Sequence, residues 1–318
     1  MTIKLFDCNQ ENGNNLTEIL HGLRQKQKTI APKFFYDRRG SRLFEAICRQ
    51  PEYYPTRTEF GIMKSNIAGI TRAIGSGVAV IEFGSGDGVK TRVLLDSLRE
   101  PAAYIPVDIS RDALLDSAAR IDAAYPHIEV IPVCADFSSH FELPNPRRAP
   151  TRNIVFFPGS TIGNFSHDDA VDLMRIMRRE AGDNGSLLIG VDLVKSRKII
   201  EPAYNDAAGI TAKFNLNLLS RMNRDHGGDF HVDHFEHKAI YDEDENRIEM
   251  RLISRRKQTV RLAGKHIPFE EGEFIVTEHS HKYTQEGFEA MAKQAGFTKT
   301  EHWSDRDSLF SVQLLNAC

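Results

Sequence analysis

Five almost uninterrupted apolar runs mark the middle of the chain, at 78–81, 103–107, 128–133, 154–157 and 187–191. Residues apolar at successive rather than alternate positions fit strands buried on both faces. Between most of these runs, at 91–98, 111–124 and 168–180, the spacing is helical. Strand and helix in alternation predict a Rossmann-like, doubly wound α/β sheet.

On either side of this region the pattern changes. Leu16, Ile19, Leu20 and Leu23 recur at helical spacing and the run ends by Pro32. A second amphipathic stretch opens at Gly40-Ser41 and passes through Leu43, Phe44 and Ile47. A third helix is expected over 56–74, after the rigid aromatic link Pro51-Glu52-Tyr53-Tyr54-Pro55. Beyond Lys195 the alternation stops: 199–223 reads as one helix, and 236–241, 247–253, 259–262 and 274–283 read as strands. A helix at 284–295 and closing strands at 299–303 and 309–314 then resume the first pattern. The organisation expected is a helical segment over 1–75, a sheet domain made of 76–194 and 284–318, and an inserted α+β substrate-binding domain over 195–283 with which the helical segment packs.

Composition narrows the function. The 318 residues carry 41 Lys+Arg against 44 Asp+Glu, a net charge of −3, and so lack the basic excess of a nucleic-acid binder. A hydrophobic content of 41% with 27% charged residues is that of a globular protein, but no apolar run approaches the roughly 18 residues of a membrane span. The first residues are polar, unlike a secretory signal. Cys8, Cys48, Cys134 and Cys318 are far apart and form no C-x-x-C pair, which fits a reducing cytoplasm and neither a disulfide framework nor a zinc cluster. A cytoplasmic monomer acting on a small molecule is expected.

The chemistry starts at Glu82-Phe83-Gly84-Ser85-Gly86-Asp87-Gly88, between the first strand and a helix. Glycines here let the backbone turn tightly and a ligand approach closely. A dinucleotide fingerprint would place its last glycine at 89, where Val89 stands, and no P-loop is present. The spacing acid-x-G-x-G-x-G resembles instead the first motif of class I S-adenosylmethionine-dependent methyltransferases. Asp108, at the end of the second strand, is placed to accept from ribose hydroxyls, and Asp136-Phe137, after the third, to meet an adenine. Singly, each has a plainer reading as turn or helix cap; in order, at successive strand ends, they point to a nucleoside-bearing cofactor.

Longer blocks carry a more specific resemblance. They are 51–59, Lys90-Thr91-Arg92 after the glycine loop, 159–165, 204–212 with Phe214-Asn215, and 278–283. Together they resemble the histidine Nα-methyltransferases of ergothioneine biosynthesis, from about Phe35 to the C-terminus. That resemblance implies trimethylation of L-histidine to hercynine at the expense of three S-adenosylmethionine molecules. It implies cofactor contacts at Gly84, Gly86, Lys90, Asp108, Asp136 and Phe137, and substrate contacts at Tyr36, Tyr53, Gly159, Asn164, Tyr204, Glu278, His279 and Ser280. Pro158 departs from the family pattern, and His279 lies where the family varies.

The residue types suit these roles. Asn164 and Tyr204 can donate to a carboxylate, Glu278 can accept from an imidazole N–H, and Ser280 can serve the other ring nitrogen. Tyr36 and Tyr53 offer aromatic faces to a growing quaternary ammonium. No motif position supplies a dedicated base, so water is expected to remove the proton. Rival readings are an N-methyltransferase for an indole or a modified histidine, a non-catalytic S-adenosylmethionine-binding regulator and, more distantly, a dinucleotide oxidoreductase. His226, His231, His234 and His237 crowd one stretch, but their spacing matches no zinc motif and no metal is expected.

Overall fold

The computed structural model describes residues 4–8, 14–86, 88–137 and 141–318. They fall into two compact units, one within Met1–Gln10, Pro55–Val194 and Lys282–Cys318, the other within Glu11–Tyr54 and Lys195–His281. Strands and helices are numbered below in chain order through both units.

The first unit holds a mixed sheet of β1 (Phe6–Asp7), β3 (Ala79–Phe83), β4 (Ala103–Asp108), β5 (Glu129–Val130), β6 (Val133–Cys134), β7 (Asn153–Phe157), β8 (Ser186–Asp192), β14 (Phe297–Ser304) and β15 (Phe310–Ala317). Its order is β1-β6-β4-β3-β7-β8-β15-β14, with β5 beside β4; β15 alone runs antiparallel to both its neighbours. The chain leaves β3 in one direction through β4 to β6, then returns to β7 on the other side. The reversal puts a topological switch point between β3 and β7, where open α/β sheets bind ligands at the carboxyl ends of their strands.

Side-chain alternation explains the uninterrupted apolar runs. Ala79, Ile81 and Phe83 join the core under α6 (His167–Ala181) and α9 (Gln285–Gln294). Val78 and Val80 join the opposite core, under α3 (Tyr54–Ile74), α4 (Val89–Leu95) and α5 (Arg111–Ala124). Helix α3 lays Ile62, Met63, Ile70 and Ile74 into that second core. It therefore belongs to the sheet unit from Pro55 onward, where the sequence grouped it with the N-terminal helices. The third predicted strand is two short pieces, interrupted at Ile131-Pro132.

The second unit contains α1 (Asn14–Leu23), α2 (Arg38–Cys48), α7 (Arg197–Tyr204) and α8 (Ile210–His226). With them are β2 (Lys28–Thr29), β9 (Phe235–Asp242), β10 (Arg247–Ser254) and β13 (Phe274–His281), in the order β2-β13-β10-β9, and a hairpin of β11 (Gln258–Leu262) and β12 (Lys265–Phe269). The single helix expected over 199–223 is broken. Pro202 lies inside α7, and Asp206 caps α8 by accepting from the Ile210 and Thr211 amides at 2.8 and 2.7 Å. Gly209, at φ 65°, completes the corner. Between β10 and β13, Met250 pairs with Glu278 but Arg251 with Val276, so Thr277 is an extra residue. This bulge reverses the phase of β13. Glu278 and Ser280, opposite the buried Met250 and Ile248, thereby share a face with Ile275, opposite Leu252.

Candidate functional site

In the first unit the loop after β3 turns on three left-handed glycines, Gly84, Gly86 and Gly88, at φ 80°, 46° and 71°. A Cβ built on Gly84 or Gly86 meets no atom within 4 Å, so the backbone there borders open space. Glu82, 2% exposed, is the acid of the motif and has a structural task. It accepts from the Thr91 hydroxyl of α4 and, at 2.5 Å, from the Tyr104 hydroxyl of β4, pinning both flanks of the loop. Burial, reinforced by the Glu82 charge, pushes the Tyr104 phenol well above its ordinary value.

Asp108 stands at the end of β4. Its Oδ2 accepts from the Ser85 amide at 3.0 Å and hydroxyl at 3.2 Å, and its Oδ1 from the Ser110 amide at 2.9 Å. Ser85 fills Oδ2, whereas Oδ1 keeps acceptor capacity for a further donor such as a ribose hydroxyl. Burial raises its carboxyl above the ordinary value, against those hydrogen bonds. Phe137 packs on Phe83 and Phe157, ring centroids 5.4 and 5.9 Å apart, beside the ends of β3 and β7. Asp136 precedes it, half-buried. Lys90 is engaged from within the protein: its Nζ lies 2.5 Å from Oε2 of Glu59, a carboxylate only 1% exposed. Both Glu59 oxygens also accept from the Gly159 amide at 2.9 Å, which ties α3, the glycine loop's helix and the loop after β7 together. Asn164 ends the short 3-10 turn Thr161–Asn164 that follows.

In the second unit the break between α7 and α8 brings Tyr204 to β13, where its hydroxyl lies 2.8 Å from Ser280 Oγ. Tyr53 packs edge-on against Tyr204 at 6.1 Å and against Phe44 at 6.2 Å. Tyr36, at the exposed rim, meets Phe44 at 5.8 Å and Phe214 at 6.0 Å. Burial, then the proximity of Tyr204, Cys48, Glu278 and Tyr36, holds the Tyr53 phenol well above its ordinary value. A phenol of that kind keeps its proton at neutral pH and acts as a hydrogen-bonding group, not as a base. His279 takes the other face of β13, its Nε2 3.1 Å from Oε2 of Glu249.

The sequence-predicted residues thus form two groups. Gly84, Gly86, Lys90, Asp108, Asp136, Phe137, Gly159 and Asn164 belong to the first unit, and Tyr36, Tyr53, Tyr204, Glu278, His279 and Ser280 to the second. Within the second, Tyr53, Tyr204, Glu278 and Ser280 cluster, while His279 turns away to Glu249. Sequence reading missed Glu59, although a carboxylate one turn before Ile62 and Met63 on an apolar helix face marks it. It also missed the aromatic wall of Phe44 and Phe214 and the structural use of His237, which shares the inward face of β9 with Phe235, Ala239 and Tyr241. The His231 and His234 rings lie tilted against one another with centroids 4.8 Å apart, and His234 bonds Gln258. Among the described residues, no group of three or more His, Cys, Asp or Glu is arranged to hold a metal ion, and no helix is long and apolar enough to cross a membrane.

Comparison with known proteins shows the family to which the chain belongs. Residues 15–317 match the model of the family described as histidine-specific methyltransferase, SAM-dependent. The match begins some twenty residues before the resemblance read from motifs. The chain is 40% identical over 303 residues to histidine N-alpha-methyltransferase of Mycolicibacterium smegmatis, covering 93% of each chain. It is 36% identical to the protein of that name from Mycobacterium tuberculosis, again covering 93% of each. Ergothioneine biosynthesis protein 1 of Neurospora crassa is 30% identical over 92% of this chain, a match spanning 34% of that longer protein. The chain belongs to the family of histidine-specific, S-adenosylmethionine-dependent methyltransferases.

Proposed function

We propose that this protein transfers three methyl groups in succession from S-adenosylmethionine to the α-amine of L-histidine, giving hercynine, a step of ergothioneine biosynthesis. The observation that carries this reading is the pairing of Glu278 and Ser280 on one face of one strand, with Tyr204 bonded to Ser280. An imidazole presents two ring nitrogens, and a carboxylate two positions from a hydroxyl can serve one each. An indole offers a single N–H and can serve only one of these two groups. The Tyr204 hydroxyl, 2.8 Å from Ser280 Oγ, supports this placement of Ser280.

The first unit suits the donor. Open space beside Gly84 and Gly86, the remaining acceptor capacity of Asp108 and the ring of Phe137 fit a nucleoside and its amino-acid tail. Bound S-adenosylmethionine supplies a methyl group on a sulfonium centre. Asp108 is proposed to hold the ribose, Asp136 and Phe137 the adenine, and Lys90 with the glycine loop the remainder. Gly159 and Asn164 are proposed for the amino-acid end of the substrate. The α-amine must lose a proton before each transfer. Tyr53 keeps its own, so we assign deprotonation to water, with Tyr36 and Tyr53 facing the growing cation. None of the four cysteines is in a disulfide, which suits a cytoplasmic setting.

Glu278→Gln and Ser280→Ala test the assignment. Each should raise KM for histidine about tenfold, the worth of one buried hydrogen bond, with S-adenosylmethionine affinity unchanged. Wild-type KM in both variants would remove the imidazole from this face.

A further inference from the structure

Tyr204 is the last residue of α7, and a helix leaves its final carbonyls without partners one turn on. Nε2 of His237 meets the Tyr204 carbonyl at 2.8 Å, and Nδ1 of the same ring lies 2.9 Å from Nδ2 of Asn215. Two backbone carbonyls decide where the protons sit. The Arg251 carbonyl, 3.1 Å from the Asn215 amide, can only accept, so the NH2 of Asn215 faces it and His237. Asn215 Oδ1 then lies on the far side, where it accepts from the Thr277 hydroxyl at 2.8 Å. An NH2 directed at Nδ1 makes Nδ1 an acceptor, and the Tyr204 carbonyl makes Nε2 a donor. His237 is therefore a neutral imidazole with its proton on Nε2. A second proton would set N–H against N–H at Asn215.

The chain of bonds runs Thr277, Asn215, His237, Tyr204, Ser280. Asn215 and Thr277 are 0% and 1% exposed, so the supporting end is anchored in the core. Next to Tyr204, the Asn205 side chain clips the main chain of Ala239 at 2.9 and 3.0 Å, docking the same corner on the same strand. We infer that His237, held as the Nε2–H tautomer, is a positioning residue that sets Tyr204, and through it Ser280, for recognition of the substrate's ring. This rests on the assignment of Tyr204 and Ser280 to the substrate proposed above.

The test compares His237→Phe, which removes the bond to the Tyr204 carbonyl, with His237→Gln, whose amide N–H can replace Nε2–H. His237→Phe should raise KM for histidine about tenfold, with kcat and S-adenosylmethionine affinity within about twofold of wild type, and His237→Gln should recover most of the loss. Long-range proton–nitrogen NMR of the wild-type ring should show the proton on Nε2. A folded His237→Phe with wild-type KM overturns the inference, as does a loss of cofactor affinity equal to the loss for histidine. If neither variant folds, the NMR spectrum decides, and a proton on Nδ1 overturns it. Should wild type itself not methylate histidine, the functional reading fails instead, whatever the tautomer.

Discussion

At the scale of single residues, burial and pairing decide what each ionisable group can do. Tyr53 is an aromatic face with a hydroxyl that stays protonated, because burial and its neighbours oppose the phenolate. Tyr53→Phe should keep the face and lose the hydroxyl: kinetics should show a higher KM for histidine and an unchanged cofactor affinity. Identical kinetics would show that the hydroxyl has no role. Glu249 behaves oppositely. Its hydrogen bond from His279, with further help from Arg251, brings its carboxyl from an ordinary 4.5 down to about 2. A carboxyl depressed in the native state stabilises it fully above the ordinary value, and that contribution is lost as pH falls from about 4.5 towards 2. Urea unfolding over that range should therefore be less pH-dependent in Glu249→Gln than in wild type; identical slopes would mean that the pairing has no thermodynamic weight. His279 takes part in this pairing and stands apart from the Glu278–Ser280 face.

Among elements, two local irregularities make the second unit's cluster, and neither is written in hydrophobic periodicity. The bulge at Thr277 shifts β13 by one residue, so that Ile275 and Ser280 face the same side although an odd number of positions separates them. Alternation alone, counted from Ile275, would have put Thr277 and His279 inward and Glu278 outward. The break after Tyr204 lies in a stretch whose spacing reads as one helix, because Ile199, Ile200 and the leucines of α8 keep helical intervals on both sides of it. Pro202 and the Asn205-Asp206 pair are the signals that could have revealed it. Asp206→Ala should cost roughly 1 kcal/mol through loss of the α8 cap, seen as a lower Tm, and should raise KM for histidine because Tyr204 is set by the same corner. A lower Tm with an unchanged KM would separate the corner from recognition. The first unit was far more legible. Its central parallel strands are buried and apolar at most positions, and its loops carry the glycines and acids that a switch point requires. The short β12 escaped because Pro268 interrupts its pattern, yet Pro268 sits in a two-stranded hairpin, whose edges tolerate proline.

Over the whole molecule, the residues assigned to the donor and those assigned to the imidazole belong to different units. Separable defects are therefore expected. Asp108→Ala should weaken S-adenosylmethionine binding about tenfold in calorimetry, whereas Ser280→Ala should leave it unchanged. Equal effects of both would contradict the division. The central claim is successive methylation of histidine at its α-nitrogen. It is tested most directly by incubating the purified protein with S-adenosylmethionine and each amino acid in turn and following the products by mass spectrometry. Mono-, di- and trimethylated histidine are expected, with the methyl groups on the α-nitrogen and the trimethyl form accumulating. Methylation of tryptophan derivatives in place of histidine, or cofactor binding with no methyl transfer to any amino acid, would contradict it.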